Sequence, residues 1–141
     1  MKWLRFRAGG RERFGVLAGD KVQAYEGEMF GETQASEEEF AVDAIEWLTP
    51  TRPSKMIGLW NNFRAAAEKN GNAIPPEPLY FIKGANSYCA HGQAVLQPAS
   101  YDGRVIYEGE LAVVIGRRAK AVSVDDAPAH IFGYSCANDV T

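Results

Sequence analysis

The sequence is poor in the side chains that bind soft metals or do imidazole chemistry: of 141 residues, two are cysteine and two are histidine. Cys89 and Cys136 lie in apolar or mixed surroundings without metal-ligand spacing. They read as buried thiols rather than as a disulfide or a nucleophile. No apolar run approaches the roughly 18 residues that span a bilayer, and Met1 to Arg7 alternates charged and apolar residues where a secretory segment would be continuously apolar. The expectation is a cytoplasmic protein with no membrane partner. Positive charge is not in excess either. Fifteen Lys and Arg stand against 18 Asp and Glu, a formal net charge of −3, which excludes the basic footprint of a nucleic-acid binder. Low-complexity segments are absent. With 46% hydrophobic and 23% charged residues, the chain suits one globular domain with a real core and a small appended lobe.

Turn formers divide the N-terminal part. Alternation from Lys2 to Arg7, the pair Gly9-Gly10 and a second run from Arg13 to Ala18 predict a hairpin. A turn at Gly19-Asp20 leads to a third strand over Lys21 to Tyr25. Ser36 followed by Glu37-Glu38-Glu39 has the form of a helix start, so a short helix or irregular cover is expected there, its acids a solvated face. Thr49-Pro50-Thr51-Arg52-Pro53 reads as an extended linker, because each proline disfavours helix in the residue before it. The expected division is a small α+β lobe over residues 1–52 and a second unit over 53–141.

In that second unit Met56 to Trp60 predicts a strand. A short helix over Phe63 to Asn70 follows, capped by Asn61 or Asn62 and ended by Gly71. Ala73 to Pro78 is too rich in proline for a regular element. Leu79 to Lys83 predicts a strand, with Lys83 either capping a sheet edge or holding a substrate carboxylate. His91 falls in a polar loop and is expected to be exposed. Tyr101-Asp102-Gly103-Arg104 has the form of a hairpin turn. The basic cluster Arg117-Arg118-Ala119-Lys120 reads as a solvated turn. Ser123 and Asp126 have capping-box spacing, and with Pro128 nearby only one or two distorted turns are expected from Val124 to His130. Ile131 to Asn138 predicts a final strand.

The chain is organised around Tyr107-Glu108-Gly109-Glu110-Leu111-Ala112-Val113-Val114-Ile115-Gly116. Two carboxylates at i and i+2 open an apolar run closed by glycine, the pattern of a buried strand. Side chains alternate along a strand, so Glu108 and Glu110 point the same way, with Cα atoms roughly 6–7 Å apart. A hard cation fits between them. Asp139, in Ala137-Asn138-Asp139-Val140-Thr141, is the best candidate for a third oxygen ligand. Three carboxylates suit Mg²⁺, Mn²⁺ or Ca²⁺ rather than zinc. The bland alternative is an exposed strand edge with its acids in water. Tyr25-Glu26-Gly27-Glu28 repeats the tetrapeptide, but no apolar strand follows it, so a solvated turn is expected there.

These blocks, together with Lys55-Met56-Ile57-Gly58, Asn62-Phe63-Arg64, Pro78-Leu79-Tyr80-Phe81-Ile82-Lys83 and Phe132-Gly133-Tyr134-Ser135-Cys136, resemble the fumarylacetoacetate hydrolase family from about Pro53 onward. The resemblance implies a mostly β, α+β fold: the small N-terminal lobe, then part of a mixed β-sandwich or roll. It also implies Mg²⁺ or Mn²⁺, with Ca²⁺ as a substitute, on Glu108, Glu110 and Asp139, holding a small 2-oxo acid or diketone. The implied activity is hydrolysis of a carbon–carbon bond in a diketo acid during breakdown of aromatic compounds. Isomerisation or decarboxylation of a 2-hydroxyhepta-2,4-diene-1,7-dioate type of substrate is the alternative. In this family a mobile lid carries the pattern Asn-Tyr-Arg-x-His and works with a nearby acid. Here Ala66 stands at the histidine position, Lys69 at the acid position and Glu68 one residue early, which leaves Arg64, Glu68 and Lys83 as candidate catalytic groups. Family members are commonly homodimers and continue beyond the Asn-Asp-Val-Thr block. The further expectation is therefore a fragment, a non-catalytic scaffold, or a chain completed by another polypeptide segment.

Overall fold

The computed structural model describes every residue, 1–141. Strands β1 (Trp3–Ala8), β2 (Arg11–Ala18), β3 (Lys21–Gly27), β4 (Thr33–Ala41) and β5 (Glu46–Trp47) form one sheet in the order β4-β3-β2-β1-β5. Every neighbouring pair in it is antiparallel. The predicted first turn is made by Gly9 and Gly10, with φ of 56° and 75°, values that suit glycine and the twist of a two-residue hairpin. Alternation along β1 sends Leu4, Phe6 and Ala8 inward against Val22 and Ala24 of β3. Phe6 and Val22 are wholly buried. Gly15 is required where β2 passes β3: a Cβ there would lie 2.2 Å from the Gln23 carbonyl oxygen.

The other face of β1 is a charged network. Arg5 pairs with Glu12 at 2.9 Å, and Arg7 pairs with Glu12 at 3.2 Å and Glu46 at 2.6 Å. The Arg5 guanidinium also donates to the Thr49 carbonyl at 3.1 Å and the Thr51 carbonyl at 3.3 Å, which fastens the proline-bearing linker to the sheet. Burial, and then the neighbouring Arg52, lower the Arg5 pKa from its ordinary value.

The helix or irregular cover expected after Ser36 is instead strand β4. Cross-strand partners explain the correction: Phe40 lies opposite Val22 and Glu39 opposite Gln23, while Glu38 pairs with Arg13 and Glu39 with Lys21. A register irregularity near Gln23 is filled by its own amide, which donates to the Ser36 and Glu38 carbonyls. The repeated tetrapeptide ends β3, and Glu28 starts a turn closed by Gly31 N–H donating to the Glu28 carbonyl at 2.8 Å.

Beyond the linker, β6 (Met56–Trp60) pairs with β7 (Leu79–Lys83) and β8 (Gly109–Ile115) with β9 (Ile131–Asn138), each as an antiparallel two-stranded sheet. Between β6 and β7 lies α1 (Arg64–Lys69), with Ala67 buried. Neither Asn61 nor Asn62 caps it. Phe63 is the N-cap residue without a side-chain bond, and Asn61, at a φ of 54°, donates to the Ala73 carbonyl. Tyr101 to Arg104 does not join two strands, because the Gln97 side chain closes this segment on the Tyr101 and Gly103 carbonyls. Asp126 N–H donates to Ser123 Oγ and that hydroxyl donates to Asp126 Oδ2, but Ser123 does not cap the 3-10 turn that follows over Ala127–His130: its N-cap residue is Asp126, without a side-chain bond.

Two burial expectations are corrected. Cys89 and Cys136 are free and exposed; Cys136 shares an outward face with Tyr134 on β9. Strand β8 is half-exposed rather than buried: Leu111, Val113 and Ile115 face solvent while Glu110, Ala112 and Val114 are partly covered. A two-stranded sheet covered on one side leaves its alternate residues in water. No helix is long and apolar enough to cross a membrane.

Phe6 anchors the five-stranded sheet, so Phe6→Ala is expected to lower its unfolding free energy by about 3–5 kcal/mol. Urea denaturation followed by far-ultraviolet circular dichroism measures this.

Candidate metal centre

The pairing of β8 with β9 sets Gly109 opposite Asn138, Glu110 opposite Ala137 and Leu111 opposite Cys136. Its hydrogen bonds run on past the strand ends. Asp139 N–H donates to the Glu108 carbonyl at 2.9 Å, and Ile106 and Thr141 exchange bonds of 2.7 and 2.9 Å. Glu108 is therefore directly opposite Asp139. Directly opposite residues share a face, as do residues two apart on one strand. Glu108, Glu110 and Asp139 thus occupy one face, with Cα separations of about 5–8 Å.

One bond departs from the regular ladder. Glu108 N–H donates to Asn138 Oδ1 at 3.1 Å, a side-chain acceptor, where a regular pair would use the Asp139 carbonyl. The Asn138 side chain thereby holds the backbone at the carboxylate end of β8.

Burial separates the three acids: Glu108 is exposed, whereas Glu110 and Asp139 are both partly covered, the Asp139 side chain keeping 14% of its accessible surface. Asp139 is ion-paired through Oδ1 with Nζ of Lys83, which reaches across from the end of β7. The Lys83 ammonium also lies 5.5 Å from the centre of the Phe81 ring. As placed, the carboxylate groups themselves are not drawn round a common centre. By chemical type the donor set nevertheless fits a hard divalent cation, three carboxylates on one face and all oxygen, although the Lys83 ammonium occupies one of the oxygens such an ion would use.

The other expected residues stand apart. Arg64 and Glu68 are on the exposed part of α1, and neither is ion-paired. Ala66 is exposed on the same helix. His91 is exposed, as expected, and its ring lies edge-on to Trp47 at 5.4 Å between centroids. His130 sits in the 3-10 turn, its carbonyl accepting from Gly116 N–H at 3.0 Å and its Nδ1 buried without a partner. Sequence reasoning found Lys83 and Asp139 separately and missed their pairing, since they stand 56 positions apart. It also missed the Asn138 bond, for which the only signal was a polar amide beside Asp139.

Removing that amide is expected to free the Glu108 N–H. In Asn138→Ala the hydrogen exchange of this amide is expected to speed up about fivefold, the equivalent of about 1 kcal/mol for one lost hydrogen bond; exchange resolved by NMR reads it directly.

Comparison with known proteins gives matches to two family models. The one described as fumarylacetoacetate (FAA) hydrolase, C-terminal, covers residues 55–141, and the one described as Rv2993c-like, N-terminal, covers residues 1–50. Oxaloacetate tautomerase YisK of Bacillus subtilis is 39% identical over 93 residues, which are 64% of this chain and 31% of that protein. Among solved structures, a 5-carboxymethyl-2-hydroxymuconate delta-isomerase from Mycobacterium smegmatis superposes with a TM-score of 0.85 at 28% identity, over all of this chain and 55% of that one. An uncharacterised protein from Mycobacterium abscessus does so with a TM-score of 0.85 at 30% identity, over all of this chain and 56% of that one. The chain thus spans about half the length of these solved structures and less of the curated relative.

Proposed function

The chain belongs to the fumarylacetoacetate hydrolase family, and from that premise we propose that it carries the cation-holding face of an enzyme that interconverts the keto and enol forms of a small 2-oxo acid. The observation that carries this reading is the β8–β9 register, which sets Glu108, Glu110 and Asp139 on one face. All three offer carboxylate oxygens, the ligand type that Mg²⁺ and Mn²⁺ favour. A divalent cation there supplies Lewis acidity to the neighbouring carbonyl and carboxylate oxygens of a 2-oxo acid.

Enolisation needs a proton moved from C3 of the substrate to its carbonyl oxygen, and no attacking water. That suits a chain whose lid position holds Ala66 in place of an imidazole. The activities after which two relatives are named, an oxaloacetate tautomerase and a 5-carboxymethyl-2-hydroxymuconate delta-isomerase, support the same class of chemistry over carbon–carbon hydrolysis. Arg64 and Glu68 are four residues apart on α1 and so project from one side of the helix. Arg64 is assigned to a substrate carboxylate and Glu68 to the proton at C3. Both assignments require α1 to approach the carboxylate face.

Calorimetric titration of Mn²⁺ into the 141-residue chain is expected to show one saturable site that is lost in Asp139→Ala. With the metal bound, the chain is expected to speed enolisation of oxaloacetate, followed by enol absorbance. Cleavage of an acylpyruvate without any enolisation would replace this reading with the hydrolytic one. Absence of Mn²⁺ binding both by the parent chain and by a Lys83→Met variant, which frees Asp139 of its ion pair, would overturn the metal reading.

A further inference from the structure

The Lys83–Asp139 ion pair is the one side-chain hydrogen bond that joins the β6–β7 hairpin to the β8–β9 hairpin. Both partners are sheltered, Lys83 with 25% and Asp139 with 14% of side-chain surface accessible. Partly buried charges feel each other more strongly than charges in open water. An Asp139 that ligates a divalent ion cannot keep an ammonium at the same oxygen without placing two cations side by side.

Resting on the metal reading above, we infer that Lys83 is an exchangeable counterion: it neutralises Asp139 when no metal is bound, and metal binding transfers it to a carboxylate of the incoming ligand. The structure supplies the means of retaining Lys83 near the site. Its ammonium stands 5.5 Å from the Phe81 ring centre, a cation–π contact that holds the charge at the same end of β7 after Asp139 is given up. The freed ammonium has three donors and no acceptor, which matches a carboxylate. Lys83 thus acts on ligand affinity twice and with opposite signs, competing with the metal and recruiting the anion.

Calorimetry separates the two effects without any turnover. Mn²⁺ is titrated into the parent chain, Lys83→Met, Lys83→Arg and, as a control for net charge, Lys120→Met, an exposed lysine in the turn after β8. Lys83→Met is expected to bind Mn²⁺ about fivefold more tightly than the parent, the scale of one lost ion pair. Lys83→Arg, which keeps the pair, and Lys120→Met are expected to stay within twofold of the parent. Oxalate, titrated into the Mn²⁺-loaded proteins, is expected to bind Lys83→Met about tenfold more weakly than the parent. Equal Mn²⁺ affinity in the parent and Lys83→Met, or equal tightening in Lys120→Met, would overturn the exchange while leaving the metal site standing. Failure of both the parent and Lys83→Met to bind Mn²⁺ would instead remove the metal reading and the exchange with it.

Discussion

The antiparallel pairing of β8 with β9 is the constraint on which the candidate site depends. Side chains along a strand alternate with period two, so a slip of one residue would send every second group to the opposite face. In the observed register Glu108 meets Asp139 and Glu110 meets Ala137. One step of slippage would put Asp139 on the face of Gly109 and separate it from both glutamates. The backbone bonds beyond the strand ends, and the Asn138 amide on Glu108 N–H, therefore keep the three carboxylates on one face as well as hold a hairpin.

Three like charges on one face repel one another, and their mutual repulsion is relieved by a cation. Lys83 already relieves part of it at the partly buried Asp139. The two hairpins also leave large apolar side chains in water, among them Ile57, Leu59, Tyr80 and Ile82 on one, and Leu111, Val113 and Tyr134 on the other. Contiguous exposed apolar faces are uncommon on a free surface; the chain spans about half the length of the solved structures it resembles. The five-stranded N-terminal sheet differs in kind. It closes its own core around Phe6 and Val22 and ties down the following linker through Arg5.

Much of this was legible in the sequence because it is local. Period-two alternation and glycine pairs marked β1 and β2, and the proline cluster marked the linker. A run of apolar residues opened by two glutamates marked β8. The readings that failed are those decided by distant partners. Ser36 and three glutamates carry a helix-start signal, but β4 forms because Val22, Arg13 and Lys21 lie across from it. The thiols of Cys89 and Cys136 were expected inside from their apolar or mixed surroundings, whereas alternation and a single covered face leave Cys136 outside. The shared face of Glu108 and Glu110 was readable from their spacing, and the register sets Asp139 opposite Glu108 as family likeness led one to expect. The coupling of Asp139 to Lys83 was not readable, since no local pattern links residues so far apart in the chain.

The most direct test of the proposal that the carboxylate face binds a cation is paramagnetic broadening of amide resonances by substoichiometric Mn²⁺, which locates a bound ion without assuming any reaction. The account predicts that the amides of Glu108, Gly109, Glu110 and Asp139, with Lys83 across from them, broaden first. Broadening centred instead on the acidic run Glu37 to Glu39 or on the turn at Glu28, with Glu108 and Asp139 unaffected, would contradict it.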